Sequence, residues 1–340
     1  MAILELPSED QPLDASAPRP QTTDTVFMIR PATTFRCNEE TMGDNAFQHE
    51  IVPEGVDFSS PEAIAGFQTE FHARVLREFD AFVETLRSNG VNVVVVQDTE
   101  IPDTPDAVFP NNWVSLHHGG IQVRYPMKAP NRRLERELAP DVFGALTHAG
   151  HDYPTEVDLT SNELSDFPQA LEGTGSMVLD RKNRIAYAAF SERTTPAPLG
   201  DFCKALDYKR ITFDTIPIEG SPVYHTNVVM SVGTKVAVLC MEAISDPESR
   251  QEVCDALEQT GHQILEISLE QLTYFAGNML EVQNSNGQSI WVMSQQAHDA
   301  LNPDQLAVFT DSGSQILAVD IQTIETAGGG SARCMMAEVF

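Results

Sequence analysis

Hairpin-like segments recur along this chain at intervals of about fifty residues, and this repetition constrains the fold more than any other feature. Each segment opens on a small polar residue and continues with an apolar strand, a turn and a second strand. The segments read N-W-V-S-L-H-H-G-G-I-Q-V-R-Y from 112, S-M-V-L-D-R-K-N-R-I-A-Y from 176, N-V-V-M-S-V-G-T-K-V-A-V-L from 227 and N-M-L-E-V-Q-N-S-N-G-Q-S-I-W-V-M from 278. Their first residues lie 64, 51 and 51 positions apart, and a further step of 56 leads to Cys334.

Helical patterns at 130–149, 196–206, 246–260 and 294–301 fill the intervals between these segments. Each of the first three patterns precedes another strand-like run. A unit of two strands, a helix and a strand predicts a radial array in which each unit packs against its neighbours. Five units fit, so the sequence predicts an α/β fold, a five-bladed α/β propeller of ββαβ modules around a central site.

The fifth unit has a single strand, because the chain ends soon after Cys334. The strand that begins at Val26 is the natural partner to complete it, and a helical pattern over 61–89 follows that strand. We therefore predict one domain over 25–340. Residues 1–24 are rich in Pro, Asp, Ser and Gln, and this composition predicts a disordered N-terminal tail.

The net charge of the chain argues against some classes of binding partner. It carries 21 basic and 50 acidic residues, for a net charge of −29, which repels nucleic acid and anionic membranes. Without an apolar span or a signal-peptide pattern, the sequence predicts a cytoplasmic protein. Its five cysteines are an odd number without C-x-x-C spacing, which argues against a disulfide framework and a zinc site. The sequence leaves the oligomeric state open.

A glycine run precedes the last cysteine, in A-G-G-G-S-A-R-C-M-M from 327. Glycines allow the backbone to pass close to a ligand, and such a loop can present a thiol at a cavity. Cys334 is then a candidate nucleophile, and the neighbouring Arg333 could contribute positive potential. The alternative is a small buried hydrophobic residue, which is the commoner role of a free cysteine.

Chemically useful side chains occupy equivalent positions in the other units. Glu172 precedes the segment that starts at 176, His225 precedes Asn227, and Asn112 opens the first segment. Taken singly, each has a structural explanation as a buried histidine or a turn residue. Because the units converge on one cavity, we interpret the set as nucleophile, acid/base, orienting carboxylate and amides for covalent catalysis at a trigonal carbon.

A set of ordered motifs carries a family resemblance. They are M-I-R-P, N-x-x-T-x-x-x-N-x-F-Q, F-P-N-N-W, E-G-T-G-S, S-E-R-T, Y-H-T-N and G-G-G-S-A-R-C-M, and they cover roughly 26–340. The chain resembles the pentein superfamily of guanidino-group-modifying enzymes, which includes arginine deiminase, dimethylarginine dimethylaminohydrolase and the amidinotransferases. It is most similar to the citrulline-utilisation hydrolase branch of that superfamily.

The resemblance implies roles for particular residues. Cys334 would be the nucleophile, His225 the general acid/base, and Glu172 the carboxylate that hydrogen-bonds the substrate nitrogens. Arg193, in S-E-R-T, would hold the substrate carboxylate, a bidentate task that suits a guanidinium. Arg333 would bind substrate or gate the site. The resemblance implies a small amino-acid substrate and neither a metal nor an organic cofactor.

Two departures from the deiminase pattern bear on the substrate. Deiminases have aspartate where this chain has Asn112 and Asn227, and an amide suits a neutral urea better than a cationic guanidinium. We therefore predict a cysteine-dependent hydrolase that cleaves the C–N bond of a ureido amino acid, citrulline to ornithine. The alternatives are an arginine deiminase or dihydrolase, a dimethylarginine hydrolase, and a catalytically inactive propeller that serves as a binding module.

Overall fold

The protein is described by a computed structural model that covers residues 2–3, 19–51, 60–164, 167–218 and 220–340. In chain order the strands are β1 (Ala2–Ile3), β2 (Thr25–Arg30), β3 (Asn92–Gln97), β4 (Val114–His117), β5 (Ile121–Arg124), β6 (Thr155–Asp158), β7 (Val178–Asp180), β8 (Ile185–Ala189), β9 (Lys209–Phe213), β10 (Met230–Val232), β11 (Val236–Leu239), β12 (Gln263–Glu266), β13 (Leu280–Gln283), β14 (Ser289–Ser294), β15 (Gln315–Val319) and β16 (Ala337–Val339). The α-helices are α1 (Pro61–Ser88), α2 (Pro130–Arg133), α3 (Ala139–His148), α4 (Gly173–Ser176), α5 (Pro196–Leu206), α6 (Thr226–Val229), α7 (Pro247–Gln259), α8 (Leu269–Thr273), α9 (Gln295–Ala300), α10 (Pro303–Asp311) and α11 (Gln322–Gly328).

The strands form small separate sheets, each built in the same way. The sheets are β4-β5-β6 with β1 added at its edge, β7-β8-β9, β10-β11-β12, β13-β14-β15 and β16-β2-β3. In each, the first two strands pair antiparallel and the third pairs parallel to the second. A helix covers the parallel crossover in every case, as such a connection requires. The predicted ββαβ modules are confirmed.

The two ends of the repeat array meet in one sheet. Strand β16 pairs antiparallel with β2 in the register Ala337↔Phe27, Glu338↔Val26 and Val339↔Thr25. Strand β2 in turn pairs with β3, and helix α1 provides the crossover between them. The prediction that the strand at Val26 completes the fifth unit is therefore confirmed. Because β16 also contacts β4, the last module borders the first.

The start and the buried face of helix α1, which packs against the ring, follow from its sequence. Ser60 caps its N-terminus by accepting a hydrogen bond from the backbone N–H of Ala63, and Pro61 takes the first helical position. Its buried residues follow helical spacing and face the sheet: Val75, Phe79, Phe82, Val83 and Leu86. The helix predicted over 61–89 is confirmed, with its last residue at Ser88.

The chain just before β2 differs from the expected tail. Gln21 is buried, and its side chain donates to the carbonyls of Leu179 and Val232 and accepts from the backbone N–H of Arg181. Thr23 is also buried and donates to the carbonyl of Val339. For residues 19–24 the prediction of a disordered tail is wrong, because these side chains satisfy backbone groups between the modules. Residues 1 and 4–18 lie outside the described residues.

No helix among the described residues is both long enough and apolar enough to cross a membrane.

Candidate active site

The residues that open each repeat segment lie where the innermost strand of each module begins. Asn112 ends a 3-10 turn before β4, and Asn227 lies in the single turn of α6 before β10. Asn278 directly precedes β13, and Cys334 lies in a turn before β16. The repeat thus brings side chains that are far apart in the chain to one end of the ring, as the sequence predicts.

Cys334 lies among amide groups. Its side chain is 2% exposed, and its Sγ accepts from Nδ2 of Asn227 at 3.4 Å and from Nδ2 of Asn278 at 3.3 Å. The Asn278 amide is held in this orientation, because its Oδ1 accepts from the backbone N–H of Arg333 and its Nδ2 also donates to the Asn227 carbonyl. Both contacts therefore point N–H donors at the sulfur, where they stabilise negative charge.

The glycine run before Cys334 is required by close packing. Gly329 has φ of +64°, and a Cβ atom there would lie 2.5 Å from Nδ2 of Asn45 and 2.6 Å from Cβ of Gln48. Both neighbours belong to the segment before α1, and Asn45 donates to the Gly329 carbonyl at 3.1 Å. A side chain at this position would push apart the cysteine loop and the segment that covers it.

His225 and Glu172 form a direct pair beside the cysteine. Nε2 of His225 lies 2.9 Å from Oε2 of Glu172, and both side chains are buried. The second glycine of E-G-T-G-S, Gly175, permits this arrangement. A Cβ atom at this position would lie 2.5 Å from Nδ2 of Asn112 and 2.7 Å from Nδ1 of His225. Burial lowers the pKa of His225, and the bond to the Glu172 carboxylate opposes this.

Two arginines hold Glu172 in its ionised form. Nη1 of Arg132 lies 3.6 Å and Nη1 of Arg193 3.7 Å from Oε2 of Glu172. Its other oxygen accepts from the backbone N–H of Lys128 at 3.1 Å. Burial acts to raise the pKa of Glu172, but Arg193, His225 and Arg132 outweigh it and hold the pKa well below its usual range. The carboxylate is therefore available as an acceptor throughout the ordinary pH range.

Asn112 belongs to the same cluster. Its Oδ1 accepts from Nη1 of Arg132 at 2.9 Å, and its Nδ2 donates to Oδ1 of Asn111 at 3.1 Å. Asn227 differs, because its Oδ1 is buried and has no hydrogen-bond partner among the described residues. A buried acceptor without a partner is costly in a folded protein and commonly marks a place for a ligand or water.

The site contains residues that the sequence analysis missed. Arg132 on α2 is buried and forms a bidentate pair with Glu135, with N–O distances of 2.7 and 3.1 Å. Asp106 is 2% exposed; its Oδ2 accepts from Asn38, and its Oδ1 has no hydrogen-bond partner in the described part of the chain. Burial raises the pKa of Asp106, although Arg132 acts in the opposite direction. An aspartate within the apolar run P-D-A-V-F-P was the available signal.

Arg193 reaches the site, whereas Arg333 does not. Arg193 is 3% exposed, borders the same cleft as His225 and Cys334, and binds Asp44 through Nε and Nη2. Arg333 instead donates to Oε2 of Glu338 at 2.8 Å and to the carbonyl of Met336 at 2.9 Å. Its guanidinium is thus held by the chain that follows the cysteine and does not line the cleft, and its role in substrate binding stays a prediction.

These side chains surround a narrow cleft with a cavity volume of only about 10 Å³. It is lined by Thr41, Asn45, Asp106, Phe109, Asn112, Arg132, Arg193, Tyr224, His225, Gly328, Gly329, Gly330 and Cys334. A larger groove of about 800 Å³ lies between Phe35 and helix α1, but it contains none of the residues just described. The converging charged and nucleophilic groups, rather than the size of the cavity, therefore identify the candidate site.

The side chains at this site are of the types that enzymes use for covalent catalysis. Over 19–51, 60–164, 167–218 and 220–340, no three His, Cys, Asp or Glu side chains are grouped as they would be around a metal ion. All five cysteines are free thiols. A cysteine, a histidine paired with a carboxylate, and nearby amide donors can attack a trigonal carbon and transfer protons at it.

The five ββαβ modules and this cleft define a member of the pentein superfamily, a group of enzymes that hydrolyse or transfer C–N-bonded groups. Residues 31–340 match the family model described as N,N dimethylarginine dimethylhydrolase, eukaryotic. The chain belongs to this family and is thus an enzyme that hydrolyses C–N bonds. No curated protein sequence matches it.

Solved structures share the fold. The substrate-bound N-terminal domain of ArgZ, a cyanobacterial arginine dihydrolase, has a TM-score of 0.66 and 16% identity, over 93% of this chain and 97% of that one. Dimethylarginine dimethylaminohydrolase from Pseudomonas aeruginosa, complexed with citrulline, has a TM-score of 0.61 and 16% identity, over 94% and 99%. Full-length ArgZ matches with a TM-score of 0.66 and 17% identity, but this chain spans only 40% of the length of ArgZ. At these identities the likeness shows the fold.

Proposed function

We propose that this protein cleaves the C–N bond of citrulline, giving ornithine, through a covalent adduct on Cys334. The observation that carries the proposal is the set of neutral amides around the sulfur. Among the described residues, the hydrogen-bonding side chains at Sγ are those of Asn227 and Asn278, and Asn112 lies beside His225. An amide offers a donor and an acceptor to a neutral ureido group, whereas a carboxylate would be better matched to a cationic guanidinium.

The first half of the reaction forms the adduct. The thiol of Cys334 passes its proton to His225, and Sγ attacks the ureido carbon and forms a C–S bond. The bond from that carbon to the terminal nitrogen breaks, and the nitrogen leaves as ammonia with a proton supplied by His225. Glu172 keeps His225 oriented through the 2.9 Å contact and stabilises its protonated form. The product of this half is a thiocarbamate on Cys334.

The second half restores the enzyme. His225, now neutral, takes a proton from a water molecule that attacks the thiocarbamate carbon. The C–S bond breaks, the sulfur takes that proton from His225 to regenerate the thiol of Cys334, and the carbamate of ornithine is released. Loss of CO₂ from that carbamate gives ornithine. The balance is one citrulline and one water converted to ornithine, ammonia and CO₂.

Arg193 and the amides position the substrate in this proposal. The guanidinium of Arg193 binds the α-carboxylate, for which a planar fork is the best protein group. Asn112 and the unpaired Oδ1 of Asn227 then contact the ureido group at the other end of the substrate. A small amino acid is the only partner that this mechanism needs.

Arginine dihydrolysis is the second candidate, and the unpaired Oδ1 of Asp106 favours it. A buried carboxylate oxygen beside the cleft is suited to a guanidinium. With arginine the same steps pass through a thiouronium adduct and yield citrulline, which a second round converts to ornithine. The cytoplasmic location of the protein stays a prediction from the sequence.

Labelling of Cys334 together with product assays tests the enzyme mechanism. We expect Cys334→Ser to abolish release of ammonia and ornithine, and iodoacetamide to modify Cys334 with parallel loss of turnover. Cys203→Ala is the matched control, because burial raises the pKa of the Cys203 thiol to about 11 and its position is outside the cleft. Full activity in Cys334→Ser would contradict the mechanism and favour a binding module.

A further inference from the structure

The guanidinium assigned to the substrate carboxylate already binds a carboxylate of the protein itself. Nε of Arg193 lies 3.1 Å from Oδ2 of Asp44, and Nη2 lies 2.5 Å from Oδ1. Lys128 adds a second cation, with Nζ at 2.7 Å from Oδ2 of the same aspartate. The pair is bidentate and largely buried, since Arg193 is 3% and Asp44 15% exposed by side chain.

Binding of Asp44 leaves no free edge on Arg193. Nη2 also donates to the carbonyl of Thr41 at 3.0 Å, and Nη1 faces Glu172 at 3.7 Å. Because Asp44 occupies the edge formed by Nε and Nη2, and the Thr41 carbonyl takes the remaining N–H of Nη2, a second carboxylate cannot bind Arg193 in bidentate fashion while Asp44 is in place.

The segment that carries Asp44 also covers the nucleophile. Asn45 donates to the carbonyl of Gly329 at 3.1 Å, Gln48 donates to the carbonyl of Ala327 at 3.1 Å, and the backbone N–H of His49 donates to the carbonyl of Thr326 at 2.8 Å. Residues 41–49, which we call the cover segment, thus bridge from Arg193 to the loop before Cys334. The cover segment explains why a site with the required groups leaves a cavity of only about 10 Å³.

We propose that Asp44 occupies the subsite of the substrate α-carboxylate and must leave it before substrate binds, so that the cover segment acts as an internal competitor. This inference rests on the proposed function for the assignment of Arg193. Substrate and Asp44 compete for the same guanidinium, and the fraction of molecules with Asp44 displaced sets the apparent affinity. The catalytic groups Cys334 and His225 do not contact Asp44 in any hydrogen bond of the described residues.

The test uses Asp44→Asn, which keeps the shape of the side chain and removes its charge. We expect KM for the preferred amino acid to fall about threefold to tenfold, with kcat within about twofold of the parent, because fewer molecules are held closed. We also expect iodoacetamide to modify Cys334 several times faster, measured by mass spectrometry without substrate. Asp44→Ser is a second variant with the same expected result if Asp44→Asn does not fold.

Glu192→Gln is the matched control. Glu192 also binds Lys128, but it is 70% exposed and has no hydrogen bond to Arg193 among those of the described residues. Its loss should leave both KM and the labelling rate of Cys334 unchanged. If the Asp44 variants raise KM, or leave KM and labelling as they are, Asp44 is not a competitor and the inference is overturned. Faster labelling in a protein that turns over neither citrulline nor arginine would support the cover segment while contradicting the proposed function.

Discussion

Nε2 of His225 lies 2.9 Å from Oε2 of Glu172, and this contact joins residues 53 positions apart that precede the inner strands of two neighbouring modules. The pair is buried, and Arg132 and Arg193 keep the carboxylate ionised. A histidine in this setting is oriented and can be stabilised when it gains a proton, which is what a general acid/base needs.

We therefore predict that His225→Ala lowers kcat by about a hundredfold or more, and that Glu172→Gln has a loss of similar size. Because the two act as a unit, the double variant should lose little beyond either single one. Steady-state ammonia release measures this. His262→Ala is the control, since His262 is buried against Gly233 outside the cleft. Retention of more than a tenth of kcat in His225→Ala would exclude it as the acid/base.

The arrangement of the modules could be predicted from the sequence because their first residues recur at a nearly fixed interval. A strand that begins at an equivalent point in each unit places its preceding residue at the same end of the ring, so Asn112, Asn227 and Cys334 were predictable as neighbours. The same reasoning applies to Asn278, which opens a segment and lies at the sulfur, although the sequence analysis assigned it no role.

Residues that do not open a repeat segment could not be assigned to the cleft by this reasoning. Arg132 lies on a crossover helix and Asp44 lies in a segment without periodicity, so no spacing rule connects them to the cleft. The position of Arg333 could not be predicted, because adjacency in sequence to Cys334 does not fix the direction of its side chain. The Glu338 carboxylate in β16 draws it to the other side.

Glu325 predicts how stability depends on pH. Burial raises its pKa from the ordinary 4.5 to about 7, although Ser331 donates a hydrogen bond to it, and Glu78 adds to the increase. Because the native state holds the proton more tightly than the unfolded state, the contribution of Glu325 to stability is largest below pH 4.5 and is lost as pH rises to 7. The loss amounts to about 3 kcal/mol at most.

Glu325→Gln should remove this dependence, so its free energy of unfolding relative to the parent should increase between pH 5 and pH 8 by about 1–3 kcal/mol. Urea unfolding at several pH values measures this difference. Glu70→Gln, which changes an exposed carboxylate on α1, is the control and should follow the parent at each pH. A constant difference for Glu325→Gln across this range would show that Glu325 is ionised in the native state.

The buried hydrogen bonds of Gln21 indicate how much the chain before β2 contributes to the free energy of unfolding. In Gln21→Ala the buried carbonyls of Leu179 and Val232 and the N–H of Arg181 lose their partner. We expect a loss of about 2–3 kcal/mol in the free energy of unfolding, since each unsatisfied buried group costs about 1–3 kcal/mol. Gln251→Ala on the exposed face of α7 is the control. An unchanged midpoint in urea would mean that this segment does not stabilise the ring.

The amide of Asn112 leads to a prediction about whether the protein prefers a ureido or a guanidino substrate. Asn112→Asp adds a negative charge beside Arg132 and Glu172, which favours a guanidinium over a neutral urea. The ratio of kcat/KM for citrulline to that for arginine should fall by roughly tenfold or more. Asn286→Asp makes the same change of charge in an exposed turn and should leave the ratio as it is. An unchanged ratio in Asn112→Asp would remove this residue from head-group recognition.

The most direct measurement is the formation of ornithine and ammonia by the unmodified protein, with citrulline and arginine assayed side by side and Cys334→Ser as the blank. The amides around Cys334 predict a higher kcat/KM for citrulline, with ornithine as the product and no formation in the blank. A higher kcat/KM for arginine would contradict the ureido assignment and establish the dihydrolase in its place.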